Sequence, residues 1–437
     1  MKNILFISAL SVLLLSCSSQ DTNVAKSDNT QSDQEKIEEQ KETYDAHRSY
    51  TQLHFEDDEM DFAFQWILGS IANGGCEIGE AFYVAGNIED GSPESWQIEW
   101  EKMAILKEQR AESALSSGHQ ITARECYLKA SNYYRTAIVS MLPDHPKFES
   151  LNHKVRFCMK EAAKLFSPEM ISFEIPFENT VLPGYFRAVD SSLEKRKTLL
   201  MIGGGETYIE DNYFYIAPQA IKRGYNFITV DLPGQGMMPM EGQFFRKDTE
   251  TQMKVILDYV LSLPNVDPEK IAVFGISNGG YFVPRAFAYS KENRMKAMIV
   301  SSAVVDNYLM FQQMPFSKDS QEQIDKWPAF KTAVTSAVTW RWGLDPSDIK
   351  GQVEQTKGFN FDPKKITCPV LDLVGAGEYE NQETERQQKE FMDNITNKNS
   401  KLIITPANEG ASSHCISENR SLMAELVFDW LDDTFEE

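Results

Sequence analysis

This chain is short of cations: 43 Lys and Arg stand against 65 Asp and Glu, a formal net charge of −22, and no basic run offsets the balance. Nucleic-acid backbones and anionic membrane surfaces are held by clustered Lys and Arg, so neither is expected as a direct partner, and the acidity reads as solubility. Paired cysteines are also lacking. Cys17 stands apart near the N-terminus. Cys76, Cys126, Cys158, Cys368 and Cys415 form an odd set with no CxxC pair and no metal-ligand spacing. Nothing calls for a metal site or a disulfide framework, and Cys415 reads as a small buried residue. No GxxxxGK[ST] loop occurs, which argues against phosphate binding of the P-loop kind, and no β-propeller repeats precede the last two thirds of the chain. Histidine is sparse: the six fall at positions 47, 54, 119, 145, 153 and 414, so a base that titrates near neutral pH has few candidates.

At the N-terminus, Lys2, the apolar stretch Ile4 to Leu15 and Leu14-Leu15-Ser16-Cys17 have the layout of a signal peptide and resemble a bacterial lipobox. That resemblance implies cleavage before Cys17 and acylation of its thiol, leaving the mature protein tethered to a membrane in the cell envelope, outside the cytoplasm. The segment is too short to span a bilayer comfortably. Residues 18–50, rich in Ser, Asp, Gln, Glu, Lys and Asn, are expected to be a disordered linker.

Residues 51–166 change to helical periodicity, with Phe62, Trp66, Ile67 and Ile71 on one face and Trp96, Trp100 and Met103 on another. The run from Ala114 to Ala137 spaces small and aromatic residues as in a tetratricopeptide repeat. One copy cannot make such an array, so Tyr127, Tyr133 and Tyr134 read as core. From 167 to 437 short apolar strands alternate with helical patterns: Ile171 to Phe177, Tyr185 to Val189, Thr198 to Ile202, Asn226 to Val230, Ile271 to Phe274, Ala297 to Val300, Pro369 to Val374 and Lys401 to Thr405. This grammar predicts an α/β fold, a mostly parallel sheet with helices on both faces, carrying an N-terminal helical cap. Residues 303–365, with Trp327, Trp340 and Trp342, are too long for a simple connection and read as a lid-like insertion over the site.

The chemistry centres on Gly275-x-Ser277-x-Gly279-Gly280, where an apolar strand runs through a tight turn into a helical pattern at Tyr281 to Tyr289. That is the context of a nucleophile elbow, whose flanking glycines lift a serine clear of the strand end. A serine hydroxyl needs a base, and the base an orienting acid. Only His414 lies in the α/β portion, in the glycine-containing loop after the last strand. For the acid, Glu378 follows the strand at Pro369 to Val374 and is preferred; Glu380 and Asp306 are alternatives, and Asp372, mid-strand, is weaker. The loop Gly203-Gly204-Gly205-Glu206 offers backbone amides to an oxyanion, with Gly205 N–H paired with that of Asn278. Asp231-Leu232-Pro233-Gly234-Gln235-Gly236 reads as turn chemistry.

These motifs, with Gly410-Ala-x-x-His414-Cys415 and the aromatic helical stretch, resemble the α/β-hydrolase superfamily. The narrower resemblance is to the branch of fermentation-respiration-switch esterases, pseudooxynicotine hydrolases and fungal polyketide-shortening hydrolases. It implies a helical cap that shapes the substrate pocket, no cofactor or metal, and frequent homodimers. It also implies cleavage of esters or of carbon–carbon bonds beside a ketone. The branch commonly uses Asp as its acid, so Glu378 is a departure. The expected activity is that of a carboxylesterase-like serine hydrolase acting on a small ester or ketone. A surface lipoprotein that keeps the fold only to bind a ligand is the non-catalytic alternative.

Overall fold

The computed structural model describes residues 45–47, 50–290 and 293–436. Cys17, the apolar segment before it and most of the expected linker lie outside the described residues. The linker was expected to reach residue 50, yet Asp45 and His47 are placed against the folded body: Asp45 accepts from Lys331 Nζ at 2.7 Å, and His47 Nδ1 lies 2.5 Å from Glu59 Oε1. These opposite charges hold the strap to two separate helices. No composition signal in a polar stretch announces such an attachment.

Eight strands form one sheet in the order β1-β2-β4-β3-β5-β6-β7-β8. They are β1 (Ile171–Phe177), β2 (Thr180–Arg187), β3 (Arg196–Ile202), β4 (Asn226–Val230), β5 (Val266–Ile276), β6 (Ala297–Ser301), β7 (Val370–Gly375) and β8 (Lys401–Thr405). β2 runs antiparallel to β1 and β4, and all other pairings are parallel. It is the mostly parallel sheet that the alternation of short apolar strands and helical patterns predicts. β2 begins five residues earlier than expected because Glu178, at φ 51°, turns the chain straight back along β1. The central strands are buried along their apolar runs because helices cover both faces. Side chains alternate between two cores: Leu199, Met201, Phe274 and Ile299 point to one face, and Leu200, Ile202, Val273 and Met298 to the other.

Five α-helices precede the sheet among the described residues: α1 (Asp58–Gly69), α2 (Ile78–Ala85), α3 (Pro93–Ser116), α4 (Gln120–Ala137) and α5 (Phe148–Lys164). Ser92 Oγ caps α3 by accepting from Ser95 N at 3.2 Å, with Pro93 at the first helical position. Trp96, Trp100, Tyr133 and Tyr134 are fully buried in the same apolar cluster as Tyr185, Leu199 and Tyr215 of the sheet layer. The helical region and one face of the sheet therefore share a continuous core. The sheet's own helices include α6 (Ile209–Lys222), α7 (Thr249–Ser262) and α8 (Gly279–Tyr289). The insertion after β6 holds α9 (Asn307–Phe311) and α10 (Ala329–Arg341); α11 (Ala376–Tyr379), α12 (Gln382–Asn394) and α13 (Arg420–Glu436) complete the chain.

Buried ions fasten the helical region to the sheet. From α5, Arg156 Nε lies 2.6 Å from Glu210 Oε1 on α6, and its Nη2 lies 3.3 Å from Asp231 Oδ2 at the end of β4. From α4, Arg135 Nε donates to Asp211 Oδ2 at 2.9 Å, and its Nη2 donates to the carbonyl of Glu206 at 2.9 Å. Removing one partner of such a pair strands the other charge in a low dielectric. Arg156→Ala is expected to cost about 3–5 kcal/mol, seen as a lower urea midpoint, because Glu210 and Asp231 are both buried; an unchanged midpoint would refute this account.

Candidate active site

The parallel register brings the strand ends together. Ile202 of β3 pairs with Gly275 of β5, Ile276 pairs with Ser301 of β6, and Gly375 of β7 pairs with Thr405 of β8. The loops that follow carry Gly203 to Glu206, Ser277, Ser302, Glu378 and His414, so residues far apart in sequence meet at the carboxyl edge of the sheet, where ligands of open α/β sheets bind.

Ser277 sits in the left-handed region at φ 53°, a conformation that costs a non-glycine residue roughly 1–2 kcal/mol. It is held there by Ser277 N donating to Ser301 O at 2.8 Å and Gly280 N donating to Ser277 O at 2.7 Å. The flanking glycines are required by space. A Cβ on Gly275 would clash with the carbonyl of Gly279, and one on Gly279 would lie 2.9 Å from the carbonyl of Ile202. The elbow thus fits only because helix α8 starts almost on top of the strand ends.

His414 follows β8 and is buried; its Nδ1 lies 2.7 Å from Glu378 Oε1. Ser302 Oγ also donates to that oxygen, at 3.4 Å. Burial lowers the His414 pKa, but neighbouring Cys415 and the Glu378 carboxylate more than offset it, so the imidazole titrates well above the usual histidine range. Among the described residues its Nε2 is buried with no hydrogen-bond partner, and both His414 and Ser277 line one open cavity.

The other acids considered are placed elsewhere. Asp306 caps α9 by accepting from Leu309 N at 3.1 Å, and Glu380 is exposed at the end of α11. Asp372 is buried in β7 and accepts from Ala303 N at 3.3 Å; burial raises its pKa well above the usual carboxylate range. Glu378 is the one among them that reaches His414.

Gly205 and Asn278 line the same cavity. The glycine loop is oriented by a residue that the sequence reading took for turn chemistry. Gln235 Nε2 donates to the carbonyls of Gly203, at 2.6 Å, and Gly204, at 3.0 Å, while its Oε1 accepts from Leu232 N at 2.9 Å. In a trans peptide the N–H points opposite to the preceding carbonyl, so anchoring Gly204 O turns the Gly205 amide away from Gln235. A Cβ on Gly204 would collide with that of Ser277, which explains a glycine there. Asn278 is the N-cap residue of α8, where the leading backbone amides have no partner within the helix.

His47 is the residue that sequence reasoning missed. Its ring stacks on Phe62 with centroids 5.0 Å apart and planes 8° apart, and its centroid lies 6.5 Å from that of His414. Burial lowers its pKa, but Glu59 and Glu206 outweigh that and raise it to about 9, so it is an imidazolium at neutral pH. The only available signal was histidine scarcity, and its place in a polar stretch hid it. The insertion supplies most of the apolar wall, including Met310, Phe311, Met314, Phe316, Trp327 and Trp342.

Residues 88–324 match the family described as Esterase FrsA-like. The chain is 29% identical over 412 residues to 20-hydroxy-prefusarin hydrolase FUS2 of Gibberella moniliformis, covering 87% of this chain and 97% of that protein. It is 28% identical over 354 residues to the alpha/beta hydrolase gkaG of Penicillium citrinum, covering 73% and 81%. Among solved structures, the 2,6-dihydroxy-pseudo-oxynicotine hydrolase superposes with a TM-score of 0.65 at 19% identity, covering 83% of this chain and 95% of that one. AbyA5 superposes with a TM-score of 0.59 at 16% identity, covering 86% and 99%. At these identities the two structures speak for the fold.

Because Glu378 raises the His414 pKa, Glu378→Gln is expected to lower it by about one unit or more. An NMR titration of the imidazole protons measures this, and an unshifted midpoint would contradict the pairing.

Proposed function

Because this chain belongs to the FrsA-like esterase family and is an α/β-hydrolase, we propose that it cleaves an ester-type carbonyl substrate through an acyl-enzyme on Ser277. The observation that carries this reading is the state of His414: Nδ1 is held by Glu378, and Nε2 has no hydrogen-bond partner among the described residues and stands beside the cavity that Ser277 lines. The raised pKa of His414 makes the neutral ring the form populated toward alkaline pH; in that form a carboxylate on Nδ1 holds the remaining proton there and leaves Nε2 basic. His414 then takes the Ser277 hydroxyl proton as the oxygen attacks the carbonyl carbon. The Gly205 and Asn278 amides hold the resulting oxyanion, and collapse expels the alcohol, which receives the proton from His414. A water molecule, deprotonated by His414, resolves the acyl-enzyme and restores Ser277. Glu378 orients the ring and stabilises the imidazolium formed at each step.

Ser277→Ala should lower turnover of 4-nitrophenyl acyl esters by about 10⁴-fold or more without changing the melting temperature, and a fluorophosphonate should label the wild type at Ser277. Retained turnover in the variant would sink the mechanism. Turnover of β-diketones in place of esters would keep the nucleophile and move the reaction to carbon–carbon bond hydrolysis.

We propose further that the chain works in the cell envelope, tethered through an acylated Cys17, on the strength of the lipobox-like Leu14-Leu15-Ser16-Cys17. Cells fed radiolabelled palmitate should label the wild type and not Cys17→Ala, and an unlabelled wild type would refute the anchor.

A further inference from the structure

Two cavities meet at Ser277. One is walled by the Met- and aromatic-rich insertion, the other by α1 and α4 through Phe62, Trp66 and Arg135. Ser277, His414, His47, Glu59 and Glu206 line both. At this junction His47 Nε2 and Glu206 Oε1 face each other 3.9 Å apart, too far for a direct hydrogen bond. Both groups are held from behind. His47 is fixed by Glu59 at Nδ1 and by the Phe62 ring, and Glu206 is fixed through its carbonyl by Arg135.

From this geometry we propose that His47 and Glu206 form a subsite for a neutral hydroxyl group of the substrate, close to the scissile carbonyl. The hydroxyl oxygen accepts from His47 Nε2–H and donates its proton to Glu206 Oε1. An oxygen about 2.8 Å from both atoms spans the 3.9 Å gap with an angle of roughly 90° between its two hydrogen bonds, which a hydroxyl can make. The inference rests on the proposed role of Ser277 for what the subsite lies beside, but not for the binding itself.

Other groups fit less well. A carboxylate or phosphate would meet the Asp45, Glu59 and Glu206 carboxylates, and the nearby cations Lys331, His47 and Arg135 are already engaged, with Asp45, Glu59 and Asp211 in turn. An ammonium would oppose the His47 imidazolium, and a ketone oxygen would satisfy His47 but leave Glu206 without a donor. A hydroxyl supplies one acceptor and one donor. The donor role of Nε2 needs the imidazolium, since the neutral ring with its proton on the Glu59 side turns Nε2 into an acceptor. Glu59 on α1, Glu206 on the glycine loop and His414 set this state, with a His47 midpoint of about 9; Asp45 on the strap, Lys331 on α10, Arg135 on α4 and Asp211 on α6 are the other charged groups that line the two cavities.

The test measures binding in the Ser277→Ala background, where affinity is read whether or not Ser277 is the nucleophile. Two ester pairs put the hydroxyl on either side of the carbonyl: 4-nitrophenyl 3-hydroxybutanoate against 4-nitrophenyl butanoate, and 2-hydroxyphenyl butanoate against phenyl butanoate. Calorimetry at pH 7 should find the hydroxylated member of at least one pair tighter by about 10-fold or more. Adding Glu206→Ala, which removes a partly exposed side chain, should bring the two members of that pair within about 2-fold, as should raising the pH above the His47 midpoint. Equal affinities in both pairs would overturn the subsite. So would a Glu206→Ala loss that falls equally on hydroxylated and deoxy esters, the pattern expected if the gap holds only water or if the residue is merely structural. A retained hydroxyl preference together with no fluorophosphonate labelling of the wild type would leave the subsite standing and refute the nucleophile.

Discussion

The site depends on one constraint, the parallel register of β3, β5, β6, β7 and β8. Each pairing ends at nearly the same level, Ile202 with Gly275, Ile276 with Ser301 and Gly375 with Thr405, so every following loop starts from one edge. Backbone hydrogen bonds repeat every two residues along a strand, and a shift of one residue would turn each side chain to the opposite core. The two clusters, split between alternate residues of the same strands, make that shift prohibitive. Packing of the sheet thereby sets where Ser277, Glu378 and His414 stand.

Charge placed in the interior does the rest. Glu378 and Glu59 each hold a histidine at short range, and in both cases the carboxylate helps to overcome a burial effect that acts the other way. The two rings lie 6.5 Å apart but differ in surroundings: His414 Nε2 is buried without a hydrogen-bond partner among the described residues, while His47 Nε2 stands off a second carboxylate. Arg135 and Arg156 carry the same logic to the scale of the fold, since each crosses from the helical region to carboxylates at the edge of the sheet and one of them also grips the loop that carries Glu206.

The parts that were legible in the sequence are those with local causes. The elbow could be read because a serine at positive φ beside a helix needs glycines two before and two after it. The strands could be read because apolar runs such as Ile271 to Phe274 and Ala297 to Val300 have the length of a buried strand and are too short for a buried helix. Gln235 was not legible: a glutamine in a Pro-Gly turn carries no sign that its amide will reach two carbonyls of another loop. His47 was hidden in the same way, since its partners Glu59, Glu206 and Phe62 and its neighbour Lys331 come from three other parts of the chain.

The sequence by itself determined the α/β alternation, the elbow at Ser277, the candidate base His414 and a short set of acids, because period, turn chemistry and residue scarcity are properties of neighbouring residues. Only the tertiary structure decided that Glu378 and not Asp306, Glu380 or Asp372 lies 2.7 Å from His414. It also decided that Gln235 orients the glycine loop, and that a polar stretch before the first helix delivers an imidazolium to the cavity. The physical reason is common to all three: hydrogen bonds and ion pairs across loops are set by distances in space, which strand register and buried packing fix and the order of residues does not.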